Sequence, residues 1–322
     1  MKLQNYNQLV YTDEFGIDHD SPYDGVFPKG ARDKNVIIAP APAPFSFVIG
    51  GHRYLFKQSV KRHPIQFWIE LVAYRLGVLV GVSVPPAFVA YEPIVGTYGA
   101  LIEWFYGHPG SQPTTYYDGG VYMMRLIRDY DLKYGEKHNF LTIAQLFEQT
   151  LPRDQINSGT WRIDLAKILA FDALIGNTDR HHDNWGILLT QSTDGIIASL
   201  SPAFDNGTSM GYEIFEENFH KFNTEEKLMH YIGKGTHHLR WHQDDTARMS
   251  HSELLVKLVR TYPDLKEAVL SCLIFDEKEA VELLFGLCNF DIAVPFTAER
   301  AKFCLKLLFR RREVLEQRIG AL

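Results

Sequence analysis

Residues 171–207 read FDALIGNTDRHHDNWGILL, a short polar interval, then LSPAFDNG. An apolar run ends at Ile175 and a Gly-Asn-Thr turn follows, which predicts a buried helix opening into a loop that carries Asp179, Arg180, His181, His182, Asp183 and Asn184. So many hydrogen-bonding side chains directly after a buried helix are poor core material. Residues 185–189 and 196–200 read as two short strands joined by a Ser-Thr-Asp-Gly turn, a hairpin that returns the chain to Asp205 at the mouth of the loop. Asp179 would then orient or deprotonate an attacking hydroxyl, while the Asn184 amide and the Asp205 carboxylate offer oxygen ligands to Mg2+. That layout is one for phosphoryl transfer.

The DRHHDN segment resembles the catalytic loops of phosphatidylinositol-type kinases and of the HipA-like serine/threonine kinases. LSPAFDNG is more similar to HipA, whose metal-binding aspartate follows a comparable Leu-Ser-Pro segment. A lone Asp and Asn at this spacing would carry nothing; helix, loop, hairpin and SPxxD together are specific. The resemblance covers most of residues 25–211. It implies an α+β, two-lobed protein-kinase-like fold, with a strand-rich small lobe over residues 1–105 and a helical large lobe over residues 106–322, and ATP and Mg2+ as cofactors.

A kinase small lobe must supply phosphate ligands, and two stretches are candidates. GARDK places Gly30, Ala31, Arg32 and Lys34 before a strand-like run at 36–39, and is similar to the Gly-Ala-x-x-Lys phosphate loop of HipA-like kinases. Glycine lets main-chain N–H groups approach phosphate while Lys and Arg add positive charge. Some members of that family carry a regulatory serine three residues before this glycine; here the residue is Phe27, so that phosphorylation is not available. After the proline-alternating run at 40–44, FSFVI, Gly50-Gly51 and HRYLFKQ predict a hairpin whose second strand ends at Lys57. Pro64 suits the start of a helix whose apolar face includes Phe67, Trp68, Leu71 and Val72. Glu70 lies in that apolar company, and a carboxylate so placed needs a partner, which makes a Lys57–Glu70 ion pair the expectation. Strands are expected at 87–91 and 98–105, the second ending in a hinge where Glu103, Trp104 and Phe105 would offer main-chain groups to adenine.

Residues 1–24 show no periodicity, and 106–120, rich in Gly, Pro, Ser and Thr, are expected to be a loop between the lobes. Helices are expected at 121–130, 142–149 and 161–175, and again through the C-terminal part, where Thr297 is a good N-cap for the last helix. GKGTHHLRWHQDD, residues 233–245, is read as an exposed His-rich loop rather than a metal site. The Arg310, Arg311, Arg312 run is read as a solvated helix end.

With 322 residues, 46% of them hydrophobic and 13% aromatic, the chain can bury a substantial core. Its formal charge of −6, from 33 basic and 39 acidic side chains, provides no global field for nucleic acid or anionic lipid, and direct nucleic-acid binding is not expected. Three scattered cysteines suggest neither a metal cage nor a disulfide framework. No secretory or membrane-spanning pattern is present, so a cytoplasmic location is expected, with export by another route left open. The resemblance implies a protein hydroxyl acceptor, with a toxin or a secreted effector kinase as its setting. Longer members of the family carry a further N-terminal module, which a separate partner protein could supply beside an antitoxin. The alternatives are a lipid or other small-molecule kinase and a non-catalytic module of kinase fold.

Overall fold

In the computed structural model, which describes residues 2–18, 34–151, 156–157 and 160–322, the N-terminal stretch without sequence periodicity supplies both edges of one sheet. Strand β1 (Val10–Tyr11) runs parallel to β5 (Ala87–Glu92), and β2 (Gly16–Ile17) pairs antiparallel with β3 (Lys34–Ile38) at the opposite edge. With β4 (Arg53–Gln58) and β6 (Thr97–Glu103) between them, the order is β1-β5-β6-β4-β3-β2. Only a 3-10 turn (Thr12–Glu14) and Phe15 separate β1 from β2, so the sheet must curl until its edges approach each other. Its central strands β5 and β6 are largely buried on both faces. Phe88, Ala90 and Leu101 join Tyr54 and Phe56 inside the curl, whereas Val89, Ala100 and Ile102 face the helix α1 (Gln66–Leu79) and the main core.

The expected hairpin in this lobe forms with a different partner. Strand β4 pairs with β3 in the register Ile38↔Arg53 to Lys34↔Lys57, and residues 45–49 form no strand. Prolines 40, 42 and 44 remove N–H donors from that side, and β4 already has neighbours on both edges. The apolar FSFVI instead folds over the curl, with Phe47 and Val48 buried in its inner core. Gly51 keeps the positive φ that the turn needs.

The large lobe contains a second sheet, β7 (Thr114–Asp118), β8 (Ile156–Asn157), β9 (Gly186–Ser192) and β10 (Gly195–Leu200), in the order β7-β9-β10-β8. The segment expected to be loop therefore contains a strand: TTYYD has high β-propensity and pairs with β9, about 70 residues later in the chain. A Cβ at Gly186 would lie 2.4 Å from the Tyr116 ring and from the Tyr117 carbonyl, so only glycine admits β7 this closely. The helices are α2 (Gly119–Leu126), α3 (Phe140–Gln145), α4 (Trp161–Ile175), α5 (Glu225–Lys234), α6 (His251–Thr261), α7 (Lys266–Ser271), α8 (Glu277–Phe285) and α9 (Ala298–Gly320). Thr297 caps α9, its Oγ1 accepting the Arg300 N–H at 3.0 Å. Helix α4 lies at the centre, where burial of side chains such as Leu169, Phe171 and Leu174 contributes about 2 kcal/mol each.

One continuous core runs from α1 through α4 and α6 to α9. Polar ties add to it: Trp68 Nε1 donates to the Val294 carbonyl at 2.8 Å, and Arg75 Nη1 to that of Leu283 at 2.6 Å. Helix α1, which carries Glu70, is thus anchored on both lobes. All three cysteines are free, and among the described residues no helix is long and apolar enough to cross a membrane.

Candidate active site

Helix α4 stops at Gly176, whose left-handed backbone (φ 68°) turns the chain into the polar loop. Arg311 fills the space a Cβ would need and donates to the Ile175 carbonyl at 2.9 Å, placing a cation at the negative end of the helix. The loop is then fastened from within. Asn177 Oδ1 accepts the Asp179 N–H at 3.0 Å, and the Asp179 carbonyl accepts from His181 N at 2.8 Å and Asn184 Nδ2 at 2.7 Å. The amide nitrogen of Asn184 is thereby committed to the loop, so that a cation held by this side chain would meet its Oδ1.

Arg180 is the clamp. It donates to both carboxylate oxygens of Asp172 on α4 (3.0 and 2.7 Å), to the carbonyls of Asn184 and Phe204, and to Asn206 Oδ1 at 2.7 Å. Helix, loop and the segment after the hairpin are joined by one buried guanidinium. Burial alone would raise the Asp172 pKa, but Arg180 and His237, whose Nε2 lies 3.0 Å from Asp172 Oδ2, outweigh it and hold the carboxyl below its ordinary range. The His-rich loop is accordingly not exposed throughout. His237 and His238 are buried, and Trp241 stacks on Phe140 with centroids 4.6 Å apart, because this segment packs against α4 and its loop. Its two ends, at Gly233 and Lys234 and around His242 and Asp244, face solvent.

Asp205 arrives from the other side. Its backbone is left-handed (φ 56°), and its carboxylate meets Lys57 Nζ at 2.5 Å and Lys34 Nζ at 3.8 Å, two lysines directly opposite each other on β3 and β4. Lys57 is also 2.7 Å from Glu70 Oε1, with both side chains buried. Glu70 in turn accepts the N–H groups of Asn206 (3.0 Å) and Gly207 (3.2 Å), so it orients the lysine and holds the segment that carries Asp205. Asp205 and Asn184 line one cavity of about 260 Å³ with Lys34 and Lys57. Carboxylate and carboxamide oxygens facing one cleft form a donor set suited to a hard divalent cation.

Glu103, Trp104 and Phe105 also line this cavity, but their main chain is partly engaged. The Trp104 N–H donates to the Arg53 carbonyl (3.1 Å), its carbonyl accepts from His52 Nε2 (2.7 Å), and the Glu103 N–H is bound to Pro86. The main-chain groups of Trp104 and the Glu103 N–H thus stitch the hinge to its neighbours. Aromatic rings form the wall beyond, with Phe105 stacked on Phe204 at 5.2 Å and Tyr106 on Tyr116 at 5.7 Å; of these only Phe105 was expected from the sequence. Asp172 was missed as well, although an acid inside FDALI gives the same signal that pointed to Glu70. Gly30, Ala31 and Arg32 lie outside the described residues; Lys34, next to them, faces the cleft.

Residues 27–265 match the model of the HipA-like C-terminal domain. The chain belongs to this family. Among solved structures it is similar to the Helicobacter pylori proinflammatory kinase CtkA, with a TM-score of 0.73 over 97% of this chain and 98% of that one, at 16% identity. It is also similar to Shewanella oneidensis MR-1 HipA, determined with HipB and operator DNA, with a TM-score of 0.51 over 92% of this chain and 66% of that one, at 14% identity. At such identities the likeness establishes the fold, a two-lobed HipA-like kinase fold. No curated protein sequence matches the chain.

Proposed function

We propose that this protein is a kinase that transfers the γ-phosphoryl group of ATP, with Mg2+, to a serine or threonine hydroxyl of a protein. The observation that carries the reading is the shared ammonium of Lys57, held by Glu70 and Asp205 in a cleft that Asn184 also lines. In this reading Lys57 and Lys34 grip the phosphates, Gly30, Ala31 and Arg32 belong to the same phosphate-binding set, and Glu70 fixes Lys57. Asp179 orients the acceptor hydroxyl and takes up its proton as the oxygen attacks. Asn184 and Asp205 would hold Mg2+, which supplies charge neutralisation on the phosphates. The seam between the lobes is placed after Phe105.

A protein acceptor is favoured over a lipid by the state of the basic run on α9. Arg311 is buried, Arg310 pairs with Glu225 and Glu313, and Arg312 with Glu277, so little positive surface remains there for a bilayer. This also corrects the expectation of a merely solvated helix end. Partners of antitoxin type, or a separate protein supplying an N-terminal module, belong to the proposal, as does a toxin or effector setting. The Shewanella HipA assembly includes operator DNA, so the expectation of no nucleic-acid contact gains no support from that neighbour. Three free cysteines fit a reducing compartment such as the cytoplasm.

The test is incubation with γ-labelled ATP, Mg2+ and a whole-cell extract. Phosphoamino acid analysis and thin-layer chromatography of lipids are then run on the same reaction. Label in phosphoserine or phosphothreonine is expected; label confined to lipid would refute the acceptor class, and no transfer at all would refute the kinase reading.

A further inference from the structure

The start of β4, the end of β6 and the loop after it bring His52, Glu103 and His108 together, with donor atoms that all lie within 4.8 Å of one another. The two imidazoles stack at 4.3 Å with planes 17° apart, and His108 Nε2 is 3.2 Å from Glu103 Oε1. His52 and Glu103 are buried, while His108 is about one-third exposed and offers a way in. The outer contacts are of the kind that orients metal ligands. The His52 Nε2–H donates to the Trp104 carbonyl at 2.7 Å, which fixes its tautomer and leaves a lone pair on Nδ1, and the Tyr54 hydroxyl donates to Glu103 Oε2 at 3.4 Å. A cation already sits on the carboxylate: the Lys2 ammonium is ion-paired with Glu103 Oε2.

We propose that His52, Glu103 and His108 bind one divalent transition-metal cation, with Zn2+ as the type, at the hinge. Two imidazoles and one carboxylate suit a borderline cation, and water can complete four-fold coordination. Bonds of about 2.0–2.2 Å require donors roughly 3.4 Å apart, so the site must close by up to about 1.5 Å. Closure also requires the part-exposed His108 ring to swing out of its near-parallel stack on His52, because stacked imidazoles cannot aim their in-plane lone pairs at one ion. On binding, the His108–Glu103 contact would give way to the metal, and the Lys2 ammonium would yield its place on Glu103. The inference is independent of the kinase reading, since the oxygen ligands Asn184 and Asp205 belong to a different set.

The probe is Co2+, titrated into the full chain with excess Mg2+ to saturate oxygen-ligand sites, and followed by its visible absorption and then by displacement with Zn2+. One equivalent is expected to bind, with the spectrum of a four-coordinate, nitrogen-ligated ion. His108→Ala should weaken binding at least ~100-fold without altering thermal unfolding of the metal-free protein. Lys2→Ala, which removes the competing ammonium, should tighten it roughly tenfold. Absence of saturable binding in the wild-type chain, or equal affinity in His108→Ala, would overturn the site. Unchanged affinity in Lys2→Ala would overturn the competition between ammonium and metal.

Discussion

Asp205 combines a left-handed backbone with a carboxylate gripped by two lysines, and the conformation alone costs about 1 kcal/mol or more. It persists because the next two N–H groups donate to Glu70, which makes Asp205, Lys57 and Glu70 one unit. Asparagine tolerates the same backbone region and keeps the shape. Asp205→Asn is therefore expected to remain folded while ATP turnover falls by about two to three orders of magnitude, because charge building on the phosphates loses its counter-charge. Turnover and thermal unfolding measured together check this; near-normal turnover in a folded variant would remove Asp205 from the machinery. Asp179 has a different part in the proposed reaction, on the acceptor hydroxyl rather than on the nucleotide. For Asp179→Asn the expected result is a kcat lower by about two orders of magnitude or more with ATP affinity unchanged, as read by calorimetric titration. Lost ATP affinity would make it a nucleotide ligand instead. At this scale the sequence was most legible where a charge stood in apolar company, as Glu70 does. The aromatic wall of Tyr106, Tyr116 and Phe204 was not legible, because an aromatic side chain in a loop looks the same whether it packs in a core or lines a cleft.

Helix α4 and its loop form a lever whose pin is Arg180. The helix was legible to the residue, since its apolar run is closed by a glycine in the one backbone conformation that ends helices cheaply. Strand β7 was not legible, because its partner β9 lies far along the chain, and local composition cannot report a distant edge. Residues 45–49 failed for the opposite reason: an apolar plug and a buried strand have the same composition, and only the occupied edges of β4 distinguish them. Arg180 shows what joins such elements, reaching Asp172, Asn184, Phe204 and Asn206 with one planar fork. Lysine keeps the charge but cannot span these acceptors. Arg180→Lys should lower unfolding free energy by about 3 kcal/mol, because Asp172 and two carbonyls lose partners in a buried setting. Denaturant titration checks the magnitude, and a loss below about 1 kcal/mol would show that Arg180 is not the pin.

Across the whole molecule, the loop after α4 is packed against a bank of buried histidines. Burial pushes His251 down to about 4, with His237 adding to the shift, and its Nε2 lies 2.7 Å from the carbonyl of Asn177 in the loop. Burial, then Arg248 and His181, push His238 to about 3, and burial takes His138 well below its ordinary value. Each of these groups has a native pKa below the unfolded value of about 6.5. Between those two values the unfolded chain binds protons that the native chain refuses. The stabilisation is therefore complete above about pH 6.5 and is lost as the pH falls towards the native values, at about 1.4 kcal/mol per group per pH unit. For His251 the total is roughly 3 kcal/mol, reached near pH 4. Asp172 has the same sign in a lower window: its depressed pKa keeps the carboxylate ionised on Arg180 throughout this range, and that contribution is lost only below the unfolded carboxyl value of about 3.9. Urea unfolding at pH 7.5, 6 and 5 should show stability dropping steadily below pH 6.5, and His251→Asn should reduce that slope by about one proton. A stability flat from pH 7.5 to 5, or a slope untouched by His251→Asn, would mean that the histidines accept protons without disturbing the fold.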